Sequence, residues 1–347
     1  MEKMKALVFR DIGHIEMDKI PIPKVKQPDD VLLRISTAGI CGSDIKILEG
    51  KHHFKKNTVL GHEFCGTVVE VGSHVSHLKL GDRVAIDNNI RCGFCSFCRM
   101  GISSQCVEIK FNALGVMRDG GFAEYCLVPE KQCYVLPDEI DDILGTQVET
   151  LATVINGMNS LLMLPYDYVM ILGFGPIGYL FAQFAKNIAA KVAVTEIDPF
   201  RIQVAKECGL TVWNPNEVDV VEKITEFTYG RKADIVIEAT GNALETALNC
   251  VTPGGKVLPF GMDSSIRTTV VPNEITRWAT KILGLYLGQN TMVPAVRIFQ
   301  EKRLDMKPFF SMVIPLSEGI GAFDCLGLDL RTLQHKPKSA MKIVMKI

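Results

Sequence analysis

From Tyr168 to Ala185 the chain carries no charged side chain. Such a stretch has few destinations: it crosses a bilayer as one helix of about 20 apolar residues, or it is buried inside a folded domain. Gly173, Gly175, Pro176 and Gly178 interrupt this one, which defeats a single spanning helix and marks a turn. An apolar strand-like run (169–172) enters the turn and an apolar helical run (179–190) leaves it. Gly173-Phe174-Gly175-Pro176-Ile177-Gly178 is therefore a GxGxxG motif in a strand–turn–helix setting, which suits a dinucleotide. Gly173 permits the tight turn, Gly175 lets the backbone approach a pyrophosphate, and Gly178 lets helix pack on strand. Unpaired N–H groups at the helix start then face the phosphates.

A second strand-like run (192–195) ends at Glu196, about twenty residues after the glycines begin. A carboxylate there is placed to accept hydrogen bonds from the adenosine ribose hydroxyls and to repel a 2′-phosphate, which favours NAD over NADP. Arg201, shortly after, is the one neighbour that favours the extra phosphate. Further apolar runs at 235–238 and 256–260 alternate with helical stretches, which predicts a parallel sheet of βαβ units.

The 347 residues allow two or three domains. Residues 1–152 read differently from the middle of the chain: short runs at 31–35, 66–71 and 83–86 lie between turn signals such as Gly72-Ser73 and Gly81-Asp82. That spacing predicts an antiparallel, barrel-like β domain. A connecting helix is expected over 151–164, a parallel-sheet domain over 153–290, and a return to the first domain over 291–347. With 38 Lys and Arg against 39 Asp and Glu, the net charge is −1. No cationic surplus exists for wrapping nucleic acid or docking on anionic lipid. The first ten residues lack the apolar core of a signal peptide, so a cytoplasmic protein is expected.

Four of the eleven cysteines, Cys92, Cys95, Cys98 and Cys106, fall within fifteen residues. At this spacing in a long chain they point to metal instead of disulfides: a closed, structural zinc of four thiolates, or an iron–sulfur cluster as the rival. Scattered cysteines such as Cys208 and Cys250 are expected in the core. A second, dispersed set comprises Cys41, His62, Glu63 and Glu149. Together these supply the mixed sulfur, nitrogen and oxygen donors of a catalytic zinc.

These motifs, in this order, resemble the zinc-containing medium-chain alcohol and polyol dehydrogenases. The segment Gly61-His62-Glu63-Phe64-Cys65-Gly66-Thr67-Val68-Val69-Glu70-Val71-Gly72 is similar to the family's GHE signature. Cys41-Gly42-Ser43-Asp44, Gly81-Asp82-Arg83-Val84, the four-cysteine loop and the Rossmann glycines match as well. The resemblance implies an α/β plus β fold, with a GroES-like catalytic domain into which a doubly wound Rossmann domain is inserted. It implies two zinc ions per chain and NAD, with Cys41, His62 and Glu149 as catalytic zinc ligands and Glu63 as an adjacent carboxylate that exchanges on the metal. Ser43 matches the hydroxyl that passes a proton from the substrate oxygen. It further implies a small polyol or sugar-derived substrate and a homodimer or homotetramer, with 282–287 as an edge strand.

Three positions depart from the family pattern. Lys46 stands where many relatives carry the histidine that ends the proton relay. Thr150 follows Glu149 where proline is common, and 281–289 offers no arginine to the substrate. The alternative is a metal-free or non-catalytic nucleotide-binding relative, quinone-reductase-like or a sensor.

Overall fold

The computed structural model describes residues 2–347. The chain divides into two compact units: 1–153 with 287–306 and 310–347, and 154–286 with 307–309.

In the first unit β1 (Lys3–Asp11), β2 (His14–Pro21), β3 (Asp30–Gly39), β4 (Thr58–Val59), β5 (Glu63–Val71), β6 (Arg83–Ile86), β7 (Tyr125–Pro129) and β8 (Cys133–Val135) follow one another. All their pairings are antiparallel, as the short, turn-punctuated runs predict. The second unit holds β9 (Tyr168–Leu172), β10 (Lys191–Thr195), β11 (Thr211–Trp213), β12 (Ala233–Glu238), β13 (Val251–Pro259) and β14 (Lys281–Ile282). After it β15 (Phe310–Pro315) and β16 (Lys342–Lys346) rejoin the first unit. The larger sheet there runs β15-β16-β3-β5-β6-β8, with β7 also on β3; the smaller runs β2-β1-β4.

β3 is buried along nearly its whole length because it has partners on both edges, so its sequence DVLLRISTAG does not alternate cleanly. The core beneath it is built from Leu7, Phe9, Leu33, Phe64, Phe122 and Phe323 among others, each essentially unexposed. Burying side chains of this size stabilises the unit by about 2–3 kcal/mol apiece.

The sheet of the second unit is wholly parallel, in the order β11-β10-β9-β12-β13-β14. This is the doubly wound order, reversing beside β9, and ligands bind such sheets at the carboxyl ends of the strands flanking the reversal. Leu172 therefore delivers the glycine turn to the binding edge. The helix Pro176–Ile188 starts three residues earlier than its apolar run, because Pro176 at the first helical position needs no N–H partner. The predicted connecting helix is Val148–Leu161. No helix among the described residues is long and apolar enough to cross a membrane. Cys250 is buried as expected, whereas Cys208 is partly exposed at a helix end.

Candidate active site and metal centres

Strand register assembles the first centre. β3 and β5 pair so that Gly39 lies opposite Glu63, and β3 and β16 pair so that Gly39 lies opposite Val344. The residues just past these points, Cys41, His62 and Lys342, converge on one end of the sheet. Cys41 caps the helix Gly42–Leu48, in a box closed by Asp44, whose Oδ2 accepts the Cys41 N–H at 2.8 Å. Cys41, His62 and Glu63 each place a ligand atom within 4.8 Å of the other two. Ser43 Oγ lies 3.2 Å from His62 Nε2, and the wholly buried Asp44 carboxylate lies 3.4 Å from His62 Nδ1. Asp44 Oδ1 and His62 Nδ1 have no other partner, so the carboxylate backs the imidazole as the outer carboxylate of a metal-bound histidine does. Burial disfavours a charged His62, yet Asp44 and then Cys41 hold its pKa well above the usual value. A site that so strongly favours positive charge beside a thiol and a carboxylate suits a divalent cation.

Glu149 is not in that close set. It sits in the first turn of the helix Val148–Leu161 and lines a polar cavity of about 80 Å³ with Asp87, Asn89, Arg91, Tyr134 and Thr291. Burial raises its carboxyl to about 7; nearby His62 pulls the other way, while Glu63 and Asp87 push further up. It therefore belongs to the same electrostatic neighbourhood as His62 and Glu63.

Sequence reasoning missed Lys342, Gln147 and the role of Thr150. The Lys342 ammonium pairs with Glu63 Oε2, and Gln147 Nε2 donates to the same oxygen at 3.3 Å. The Thr150 hydroxyl donates to Glu63 Oε1 at 2.7 Å. Burial, the largest single effect, raises the Glu63 pKa, but Lys342, His62 and Thr150 together outweigh it and the net shift is downward. The departure at Thr150 thus has a physical use. A lysine inside a strand-like run gives no sequence signal of burial; only the pairing of β16 with β3 encloses it.

The second centre is the loop of Cys92, Cys95, Cys98 and Cys106, whose sulfurs all lie within 4.8 Å of one another. Cys92 Sγ is 3.5 Å from Cys106 Sγ and 4.0 Å from Cys98 Sγ, and all four cysteines are free. Four sulfurs about 2.3 Å from a tetrahedral zinc stand about 3.8 Å apart, so the cage fits. Backbone N–H groups of Cys98 and Val107 draw the Cys95 thiol down to about 6, preparing a thiolate.

In the second unit Gly173 takes a left-handed φ of +94°, and a Cβ on Gly178 would lie 2.0 Å from the Gly173 carbonyl oxygen. Both glycines are thus required by the turn itself. Gly175 caps the helix, Pro176 and Ile177 open it, and all three are partly exposed. Glu196 follows β10 and is largely buried, its Oε2 accepting the Phe174 N–H at 2.9 Å and its Oε1 those of Ile197 and Asp198. It therefore braces the glycine turn. The Arg201 guanidinium lies against Gly175, and its Nε has no partner.

Residues 27–138 match the alcohol dehydrogenase GroES-like domain, and residues 176–301 match the zinc-binding dehydrogenase domain. The sorbitol dehydrogenase of Bacillus subtilis (strain 168) is 30% identical over 314 residues, 88% of either chain. The L-threonine 3-dehydrogenase of Pyrococcus horikoshii is 34% identical over 324 residues, covering 89% of this chain and 91% of that protein. An alcohol dehydrogenase from Escherichia coli CFT073, solved with NADH, superimposes over the full length of both chains with a TM-score of 0.90 at 25% identity. With its GroES-like sheet, its doubly wound sheet and these two cysteine-bearing centres, the chain belongs to the zinc-containing medium-chain alcohol and polyol dehydrogenase family.

Proposed function

We propose that the protein oxidises a secondary hydroxyl of a small polyol or sugar derivative, with NAD as hydride acceptor, at a zinc held by Cys41, His62 and Glu149, with Glu63 in reserve. The observation that carries this reading is the convergence of half-buried Cys41 with buried His62 and Glu63, with Asp44 behind the imidazole and Ser43 beside it. Zinc, when bound, supplies the Lewis acidity that makes a substrate hydroxyl acidic, and the nicotinamide takes up the hydride. The chain's own residues do the rest. Asp44 fixes the His62 ring, Ser43 offers a hydroxyl through which the substrate proton leaves, and the glycine turn with Glu196 holds the dinucleotide.

A neutral polyol suits the basic loop Gly50-Lys51-His52-His53-Phe54-Lys55-Lys56 better than a phosphorylated one. Lys51 is paired with Glu49 at 3.2 Å and Lys56 with Asp11 at 2.5 Å, so these cations are already engaged. Cytoplasmic location and a homodimer or homotetramer complete the proposal. A metal-free sensor or reductase would have no use for a convergent thiol, imidazole and carboxylate set of this kind. The test is NAD reduction with a panel of polyols, inositols and sugar acids. Activity should vanish on chelation, return with zinc, and fall by about 10³-fold or more in Cys41→Ala. Turnover that survives complete removal of metal overturns it.

A further inference from the structure

We infer that Lys342, Thr150 and Gln147 form a clamp that holds the Glu63 carboxylate back from the ion shared by Cys41 and His62, and thereby weakens this site's grip on its metal. The inference rests on the reading of Cys41 and His62 as zinc ligands. Both oxygens of Glu63 are engaged: Oε1 by the Thr150 hydroxyl, Oε2 by the Lys342 ammonium and the Gln147 amide. Glu63 and Lys342 are each 1% exposed, so the pair lies wholly out of water.

Three separate stretches of chain build this arrangement, and a fourth position makes room for it. A Cβ on Gly39 would stand 2.7 Å from Glu63 Oε2, 2.9 Å from Gln147 Nε2 and 3.4 Å from Lys342 Cε. The ion pair thus crosses β3 through the gap that Gly39 leaves. Stability alone is a poor reason for such a pair, since apolar residues of similar volume are often as stabilising. Its position supplies a better one. The Lys342 ammonium, paired with Glu63, stands beside the residues that would hold the metal. In a low-dielectric interior that charge opposes a second cation strongly, and it also occupies the carboxylate that lies in the close set with Cys41 and His62.

Removing the ammonium should do two things: relieve the repulsion and free Glu63 to ligate. A shell residue that merely props up the site has the opposite sign, its loss weakening metal binding by 10- to 100-fold. The experiment is titration of the metal-stripped full-length protein with Co²⁺ and Zn²⁺, following the visible cobalt bands. The wild-type chain should take up two ions. Lys342→Met should bind the non-Cys₄ ion about tenfold or more tightly, with altered visible bands as a carboxylate enters. Lys342→Arg should behave as wild type. Thr150→Val, which keeps both the ion pair and the side-chain shape, should shift affinity in the same direction by less, and Thr150→Ser should restore it. Unchanged or weaker binding in both Lys342→Met and Thr150→Val overturns the clamp while leaving the zinc reading intact. Uptake of only the Cys₄ ion by the wild-type chain overturns both.

Discussion

The Asp44 carboxylate serves two neighbours. Oδ2 closes the cap on the helix Gly42–Leu48, and Oδ1 faces His62 Nδ1. Asp44→Asn keeps an acceptor for the Cys41 N–H but loses the charge behind the imidazole. Affinity of the Cys41–His62 site for zinc should fall by about 10- to 100-fold with little change in fold, as read by competition with a chromogenic chelator. Glu149 offers a second residue-level test, in the metal-free protein. Its carboxyl is raised from 4.5 to about 7 when folded. Between those values the folded chain binds the proton that the unfolded chain has lost, so stability falls as pH rises through the window. The difference is at most on the order of 3 kcal/mol. Denaturant midpoints of the metal-free wild type should drop between pH 5 and pH 8, and those of Glu149→Gln should drop less. Parallel pH curves for the two proteins would show that Glu149 is not the group responsible.

Elements whose residues carry their own local reason were legible in the sequence. The strand β9, its glycine turn and the following helix could be read directly, because Gly173 and Gly178 are demanded by backbone sterics. The edge strand expected over 282–287 was overread. β14 is only Lys281–Ile282, and the chain leaves strand geometry soon after, with Leu287 at φ +57°. Alternating apolar residues did not reveal that turn, because leucine rarely adopts it. Lys342 was hidden for another reason: its burial depends on pairing with β3, some three hundred residues earlier. The four-cysteine loop lies at the legible extreme, and it makes its own prediction. Its helix Ser96–Arg99 buries no residue, while Phe94, Met100, Val107 and Phe111 are each more than half exposed. With little apolar burial, the loop depends on its metal, whose binding contributes about 10 kcal/mol or more in structural zinc sites. Chelation should abolish amide-exchange protection over 92–106 before β3 and β5 lose theirs. Protection there that is indifferent to metal would mean that the loop holds itself.

At the scale of the whole molecule, the parallel sheet of the second unit raises a question of coverage. Parallel sheets are stable when both faces and edges are shielded, yet both residues of β14 are exposed. The helix Pro272–Trp278 just before it buries none of its residues. Val271, Trp278 and Ile282 are 51%, 46% and 37% exposed. Scattered apolar residues on a surface are ordinary, but three within twelve positions beside a bare sheet edge form a patch. A second copy related by a two-fold axis would set β14 antiparallel to its own counterpart, bringing the two patches together, and such an interface is self-complementary. Sedimentation equilibrium should therefore give the mass of a dimer or tetramer. Ile282→Pro removes a backbone donor from the edge, and Trp278→Glu places a charge in the patch. Together they should halve the mass while NADH still binds, because the glycine turn and Glu196 lie elsewhere in the same unit. A monomeric wild type, or a double variant that keeps its full mass, would mean that this edge is not where the copies meet.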